Sequence, residues 1–219
     1  MQADRRAGRR VAEGGGLQGL LVDFGGVLTT NIWDSFRAFC DAEGLDREQV
    51  KRLFREDPEA LALLRRLEVG ELDEDSFAAE FGPLLGLSAD RHEGLVDRLF
   101  AGMEPEESMF TAVRRARAAG LKTGLISNSW GRGRYDRSTF GELFDGVVIS
   151  GEVGLHKPQP QIFELGAERV SLHPTQCVFV DDLRENCVGA EAVGMVTVLH
   201  RGPDETLERL EQLLDVELR

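Results

Sequence analysis

Five short apolar runs lie along the chain: Leu20-Leu21-Val22, Thr123-Gly124-Leu125-Ile126, Val147-Val148-Ile149, Val178-Phe179-Val180 and Val196-Thr197-Val198-Leu199. None alternates apolar with polar residues, which is the pattern of parallel strands covered on both faces. Stretches with helical spacing separate the later runs. Glu106 to Ala119 carries Met109, Val113 and Ala116 on one face, and Gly120 follows as a stop. Pro160 to Val170, Asn186 to Val193 and residues 204–215, with Leu207, Leu210 and Leu214, read the same way. Strands alternating with helices predict an α/β fold, a doubly wound parallel sheet with right-handed crossovers.

One interval breaks this rhythm. From about Asn31 to Met103 no run reads as a strand. Helical stretches fall near 33–43, 46–55, 58–68, 73–84 and 89–101, punctuated by Gly44, Gly70 and Gly86. Asp46, Asp73 and Ser88 are suitable N-caps. The expected organisation is a flexible tail over 1–16, an α/β core from 17–30 and 104–219, and a helical subdomain inserted over 31–103.

Composition narrows the function classes. A chain of 219 residues with 42% hydrophobic positions fills a core without disulfides or a structural metal. Asp plus Glu number 39 against 26 Lys plus Arg, for a net charge of -13. So acidic a chain is a poor general partner for nucleic acid or an anionic membrane. Arg5, Arg6, Arg9 and Arg10 are a local exception. Cys40, Cys177 and Cys187 form no CxxC pair, which suits a reducing, cytoplasmic location better than a disulfide framework or a zinc site. No apolar run approaches the ~20 residues of a membrane span. The arginines before Gly14-Gly15-Gly16 lack the apolar stretch of a secretory signal.

In open parallel sheets, ligands bind beyond the carboxyl ends of the strands. The first run ends in Asp23, the second in Ser127-Asn128-Ser129 and the fourth in Asp181-Asp182. Lys157-Pro158 lies between the third and fourth. Singly, most have bland readings: a turn Asp, a turn Ser-Asn, a solvated lysine at a helix start. The acidic pair is the least bland, because adjacent carboxylates repel unless a cation is near.

Together these residues resemble the motifs of the haloacid dehalogenase-like (HAD) hydrolase superfamily, in the same order. Asp23 ends the first strand, with Val27 at the usual threonine/valine position. Ser127 ends the next core strand, Lys157 precedes a proline, and Asp181-Asp182 follow a strand. The helical insertion is similar to the family's cap. The resemblance implies a Rossmann-like core of about five strands. It also implies a Mg²⁺-dependent hydrolase acting on a small phosphorylated metabolite, with Asp23 as nucleophile and metal ligand. The Gly25 carbonyl and Asp182 would be further ligands. Ser127 and the Asn128 backbone N–H would hold the phosphoryl group, and Lys157 would neutralise charge. Asp181 would orient Lys157 or a metal-bound water, and Asn186 would reach the metal waters from the following turn. An oxygen-rich donor set suits Mg²⁺ better than zinc.

One departure matters. Phosphatases of the superfamily usually carry a second Asp two residues after the first, to protonate the leaving alcohol. Here that position is Gly25. Loss of a positioned acid–base group typically costs about 10²–10⁴-fold. Three remedies remain open: a water or cap residue substitutes, the leaving group is good, or turnover is slow. Two rival readings follow. A dehalogenase would also lack the second Asp but has no use for Asp181-Asp182. A non-catalytic phosphate-ester binder rests on Gly25 alone. Substrate choice would fall to the insertion and to the loop Trp130 to Arg137, read as a solvated crossover in preference to an anion-binding lip. Trp33 and Phe36 read as helix core. Among the four histidines only His156, beside Lys157, stands out.

Overall fold

The computed structural model describes residues 16–131 and 135–219. The expected tail (Gly16 apart), its arginines and the Arg132–Arg134 part of the basic loop lie outside the described residues. The sheet consists of β1 (Gly19–Val22), β2 (Lys122–Ser127), β3 (Gly146–Ile149), β4 (Cys177–Asp181) and β5 (Val196–Leu199). The strands are all parallel, in the order β3-β2-β1-β4-β5. β1 is central: Gly19 is in register with Lys122 on one side and Cys177 on the other.

The apolar runs are continuous because both faces are covered. Leu20, Val22, Val178 and Val180 point into one cluster with Val113 of α6 (Glu107–Ala118) and Leu207 and Leu210 of α11 (Pro203–Leu214). Leu21 and Phe179 point into another with Ile162 and Phe163 of α9 (Pro160–Arg169) and Ala190 of α10 (Arg184–Ala192). Two one-turn helices, α7 (Phe140–Leu143) and α8 (Ser150–Val153), flank β3. The strand order reverses direction at β1, so the ends of β1, β2 and β4 frame the crevice where such sheets bind ligands.

Between β1 and β2 the chain forms α1 (Ile32–Glu43), α2 (Gln49–Glu56), α3 (Pro58–Glu68), α4 (Glu74–Leu84) and α5 (Leu95–Phe100). These helices bury their own cluster, including Phe36, Phe54, Leu63, Phe77, Phe81 and Leu99. The two crossings run side by side. Thr29 and Pro105 form an antiparallel bridge, Thr30 N donates to Glu104 O at 2.8 Å, and Glu106 N donates to Leu28 O at 2.9 Å.

Asp73 caps α4 through Ser76 N at 2.7 Å, and Asp57 with Pro58 starts α3. Two expectations need correction. Asp46 does not cap a helix at 46: its carboxylate accepts from Glu48 N at 3.1 Å in a turn, and α2 begins at Gln49. The stretch 89–101 is not one helix. Ala89–Arg91 makes a 3₁₀ turn, Gly94 adopts φ 64°, and α5 starts afresh at Leu95.

Candidate active site

Asp23 continues β1, its N–H donating to Val180 O at 2.9 Å. This bond places its carboxyl beyond the sheet, between the ends of β2 and β4. Oδ1 accepts from Phe24 N at 2.7 Å and lies 2.7 Å from Lys157 Nζ. Lys157 Nζ also donates to Asp181 Oδ2 at 2.7 Å. All three side chains are buried. Lys157 therefore bridges two carboxylates that come from different strand ends.

Asp181 is saturated. Its Oδ1 accepts from Leu183 N at 2.8 Å and Asn186 Nδ2 at 3.0 Å, and Asn186 Nδ2 is 3.1 Å from Oδ2. So the Asn186 amide holds Asp181, and Asp181 holds Lys157. Asp182 turns the other way, toward the loop after Asp23, and lines the cavity there together with Gly25. Gly26 packs against it: a Cβ on Gly26 would stand 2.6 Å from Asp182 Oδ2, and its φ of +74° also favours glycine.

Asp23, Asp181 and Asp182 each bring one carboxylate oxygen within 4.8 Å of the others. Burial pushes Asp23 up to about 8; Lys157 lowers it, and Asp181 and Asp182 raise it further. Burial and then Asp181 push Asp182 up to about 6. Burial alone would depress the Lys157 ammonium, but Asp181 and Asp23 outweigh it and raise its pKa above the ordinary lysine value. Two buried acids and a half-buried third beside one lysine are short of positive charge. An all-oxygen donor set with that deficit fits a hard divalent cation.

Ser127, the last residue of β2, shares a 2.9 Å hydrogen bond with the Tyr135 hydroxyl. Tyr135 packs edge-on against Phe24 at 4.9 Å, and burial raises its phenol to about 12, so it stays protonated. Asn128 uses its side chain on the backbone of Lys157, accepting from Lys157 N at 2.8 Å and donating to its carbonyl at 3.2 Å. His156 Nδ1 donates to the same carbonyl at 2.8 Å.

A cavity of about 880 Å³ stands over these groups. Asp23, Ser127, Asn128, Lys157, Asp182 and Asn186 line its floor, and Asp181 lies behind it. The insertion supplies the roof, including Trp33, Phe54 and Glu68. Trp130 and Tyr135 of the loop expected to be solvated also line it. Phe36 is core at 1% exposure, whereas Trp33, three residues earlier on α1, faces the cavity. Sequence reasoning missed Tyr135 and Glu68. Neither sits at a strand end or in a spaced motif, so nothing local marks them.

The model of the family described as haloacid dehalogenase-like hydrolase matches residues 17–194. A glyceraldehyde 3-phosphate phosphatase of Methanopyrus kandleri is 32% identical over 138 residues, covering 55% of this chain and 59% of that protein. The chain spans only 14%, 59% and 24% of the first three curated relatives it matches. A HAD family enzyme of Bacteroides thetaiotaomicron, solved with magnesium and inorganic phosphate, is 20% identical and superposes with a TM-score of 0.61. That match covers 84% of this chain and 93% of the other. An L-2-haloacid dehalogenase of Xanthobacter autotrophicus is 21% identical with a TM-score of 0.60, covering 90% and 82%. Among the described residues no helix is long and apolar enough to cross a membrane. With five parallel strands in this order, the acidic cluster at their ends and a family match over most of its length, the chain belongs to the haloacid dehalogenase-like hydrolases.

Proposed function

We propose that the protein is a Mg²⁺-dependent phosphatase that hydrolyses a small phosphate monoester through an aspartyl-phosphate on Asp23. The observation that carries this reading is the cluster of Asp23, Asp181 and the half-buried Asp182, with Lys157 paired to the first two. Asp23, Asp182 and the Gly25 carbonyl would hold the cation. When bound, Mg²⁺ supplies two positive charges and a binding point for a phosphoryl oxygen. With Lys157, that balances the three carboxylates before a dianionic ester arrives.

The chain's own groups divide the work. An Asp23 carboxylate oxygen attacks phosphorus, forming the acyl phosphate as the bond to the leaving oxygen breaks. Lys157 Nζ, already 2.7 Å from Asp23, stabilises charge on the transferring group. Ser127 Oγ and the Asn128 N–H donate to phosphoryl oxygens. Asp181 and Asn186 keep Lys157 in place. Water then attacks phosphorus, releasing phosphate and restoring Asp23.

The proton for the leaving oxygen needs a source other than Gly25. Glu68, at the end of α3, lines the roof of the cavity near Asn128 and Lys157. Burial raises its carboxyl to about 7, against the smaller opposing pull of Lys157 and Asn128. A group with that pKa exchanges a proton readily at neutral pH.

The dehalogenase reading has support in Gly25, in Ser127-Asn128 and in the fold likeness to a haloacid dehalogenase. The acidic cluster weighs against it, because displacing halide from carbon needs no cation. The test is release of phosphate against chloride from ester and haloacid panels, with Mg²⁺ and with EDTA. Mg²⁺-dependent phosphate release is expected. EDTA-resistant halide release would replace the proposal. A beryllium fluoride adduct on Asp23 separates a phosphatase from a mere binder: phosphate binding without that adduct favours the binder.

A further inference from the structure

The cavity over Asp23 has two unlike walls. Its floor is polar, as described above. Eight residues of the segment 32–103 line the roof, and six of them are apolar, Trp33, Phe54, Leu64 and Phe100 among them. The other two are Arg55 and Glu68, and the Arg55 guanidinium stacks over the Trp33 ring at 5.5 Å. The wall from α6 and α7 adds Phe110 and Phe140, together with Glu107 and Arg114. Trp33, Leu64, Phe110, Trp130 and Phe140 are only half-buried, so their apolar surfaces are not consumed by the core.

Half-buried apolar side chains gathered in one cavity beside a polar site mark where the apolar part of a ligand rests. The volume of about 880 Å³ is ample for a group larger than the phosphate. Arg55, Glu68, Glu107 and Arg114 offer partners at separate points of the lining, but hydroxyls set against the ring faces between them stay unpaired, and each unpaired hydroxyl weakens binding. A hydrocarbon group would instead gain with every methylene removed from water.

We propose that the ester taken by this site carries a hydrocarbon-rich leaving group, a long-chain, branched or aromatic alcohol, and that the roof selects it over sugar or triose phosphates. This rests on the phosphatase reading. The step is unchanged: the phosphorus–oxygen bond to the alcohol breaks and the alcohol oxygen takes a proton.

The protein contains two tryptophans, Trp33 and Trp130, and both line the cavity. Their fluorescence therefore reports occupancy without turnover. The test titrates the Mg²⁺-loaded full chain with n-alkylphosphonates from ethyl to octyl. In parallel it measures kcat/KM for the matching n-alkyl phosphates, whose leaving-group acidity barely changes along the series. Affinity and kcat/KM are expected to rise roughly two- to fourfold per added methylene. Leu64→Arg should flatten both series, while Leu64→Met keeps the slope, which separates lost apolar contact from misfolding. Flat or falling series in the wild type, with glycerol or hexose phosphates turned over faster, overturn the inference and leave the phosphatase reading standing. No phosphate from any ester, p-nitrophenyl phosphate included, sinks that reading and this inference with it.

Discussion

The side-chain amide of Asn128 closes on both polar atoms of the Lys157 backbone, accepting from its N–H at 2.8 Å and donating to its carbonyl at 3.2 Å. The end of β2 thus sets the position of a lysine that reaches across to β1 and β4. Removing the amide frees the Lys157 backbone without touching its charge. Asn128→Ala is expected to lower kcat by about 10²-fold, since displacements near 1 Å cost on that order. KM should change little. A rise in KM with kcat unchanged would show that Asn128 acts on substrate binding, not on Lys157.

Lys157 is the sole cation in contact with the Asp23–Asp181 pair among the described residues. Lys157→Met leaves two buried carboxylates uncompensated, at a cost of about 3–5 kcal/mol, or roughly 10 °C in Tm. Mg²⁺ restores part of that charge balance, so it should raise the Tm of the variant more than that of the wild type. Asp182→Asn should shrink the Mg²⁺-induced shift in either background. Thermal melts with and without EDTA measure both effects. Equal shifts in all four proteins would mean that the cation binds elsewhere.

Gly26 links backbone shape to the acidic cluster. Alanine there meets Asp182 Oδ2 at 2.6 Å and must also hold φ near +74°. The strained backbone should cost about 1–2 kcal/mol. Displacing Asp182 should raise the Mg²⁺ concentration for half-maximal activity by about 10–100-fold. An unchanged Mg²⁺ requirement would remove Asp182 from the cation site.

Much of this arrangement was legible in the sequence, and for a physical reason. Parallel strands buried on both faces are short unbroken apolar runs, so a polar residue directly after one, such as Asp23 or Asp181, stands out. The insertion was legible as a stretch without such runs. What depended on tertiary contact was not. Helical periodicity on α1 marks Trp33 and Phe36 alike as apolar, yet one lines the cavity and the other fills the core. Tyr135 meets Ser127 through a tertiary hydrogen bond that no spacing in the sequence announces. Glu68 becomes unusual only through its burial in the roof beside Asn128. Gly94 broke an expected helix because a left-handed residue interrupts a pattern that is otherwise continuous.

His200 ties the end of β5 to α11 through a 2.9 Å bond between Nδ1 and Thr206 Oγ1. Burial lowers its pKa below the ordinary histidine value, with Glu106 opposing. As pH falls below about 6.5, the unfolded chain takes up the proton before the folded one. The stability from the neutral imidazole is therefore present above pH ~6.5 and lost as pH falls through the native pKa. The loss shows as a fall in Tm on acidification. His200→Asn should show a shallower fall in Tm from pH 7 to pH 5 than the wild type. A parallel fall would assign the acid sensitivity to other groups.

Gly25 stands where superfamily phosphatases usually carry their acid–base Asp, and the structure leaves room for one. A Cβ at Gly25 meets no heavy atom within 4 Å, and the residue is absent from the positive-φ glycines. Gly25→Asp should therefore fold and present a carboxyl to the cavity floor. Its benefit should depend on the leaving group. Alkyl phosphates, which need protonation, should be hydrolysed up to about 10²-fold faster. Acetyl phosphate, which leaves without it, should change little. Glu68→Gln should do the reverse in the wild-type background, slowing alkyl phosphates and sparing acetyl phosphate. In the Gly25→Asp background that penalty should vanish, because the new carboxyl takes over the proton. If Glu68→Gln instead slowed both esters equally, Glu68 would be shaping the cavity and the proton would come from water.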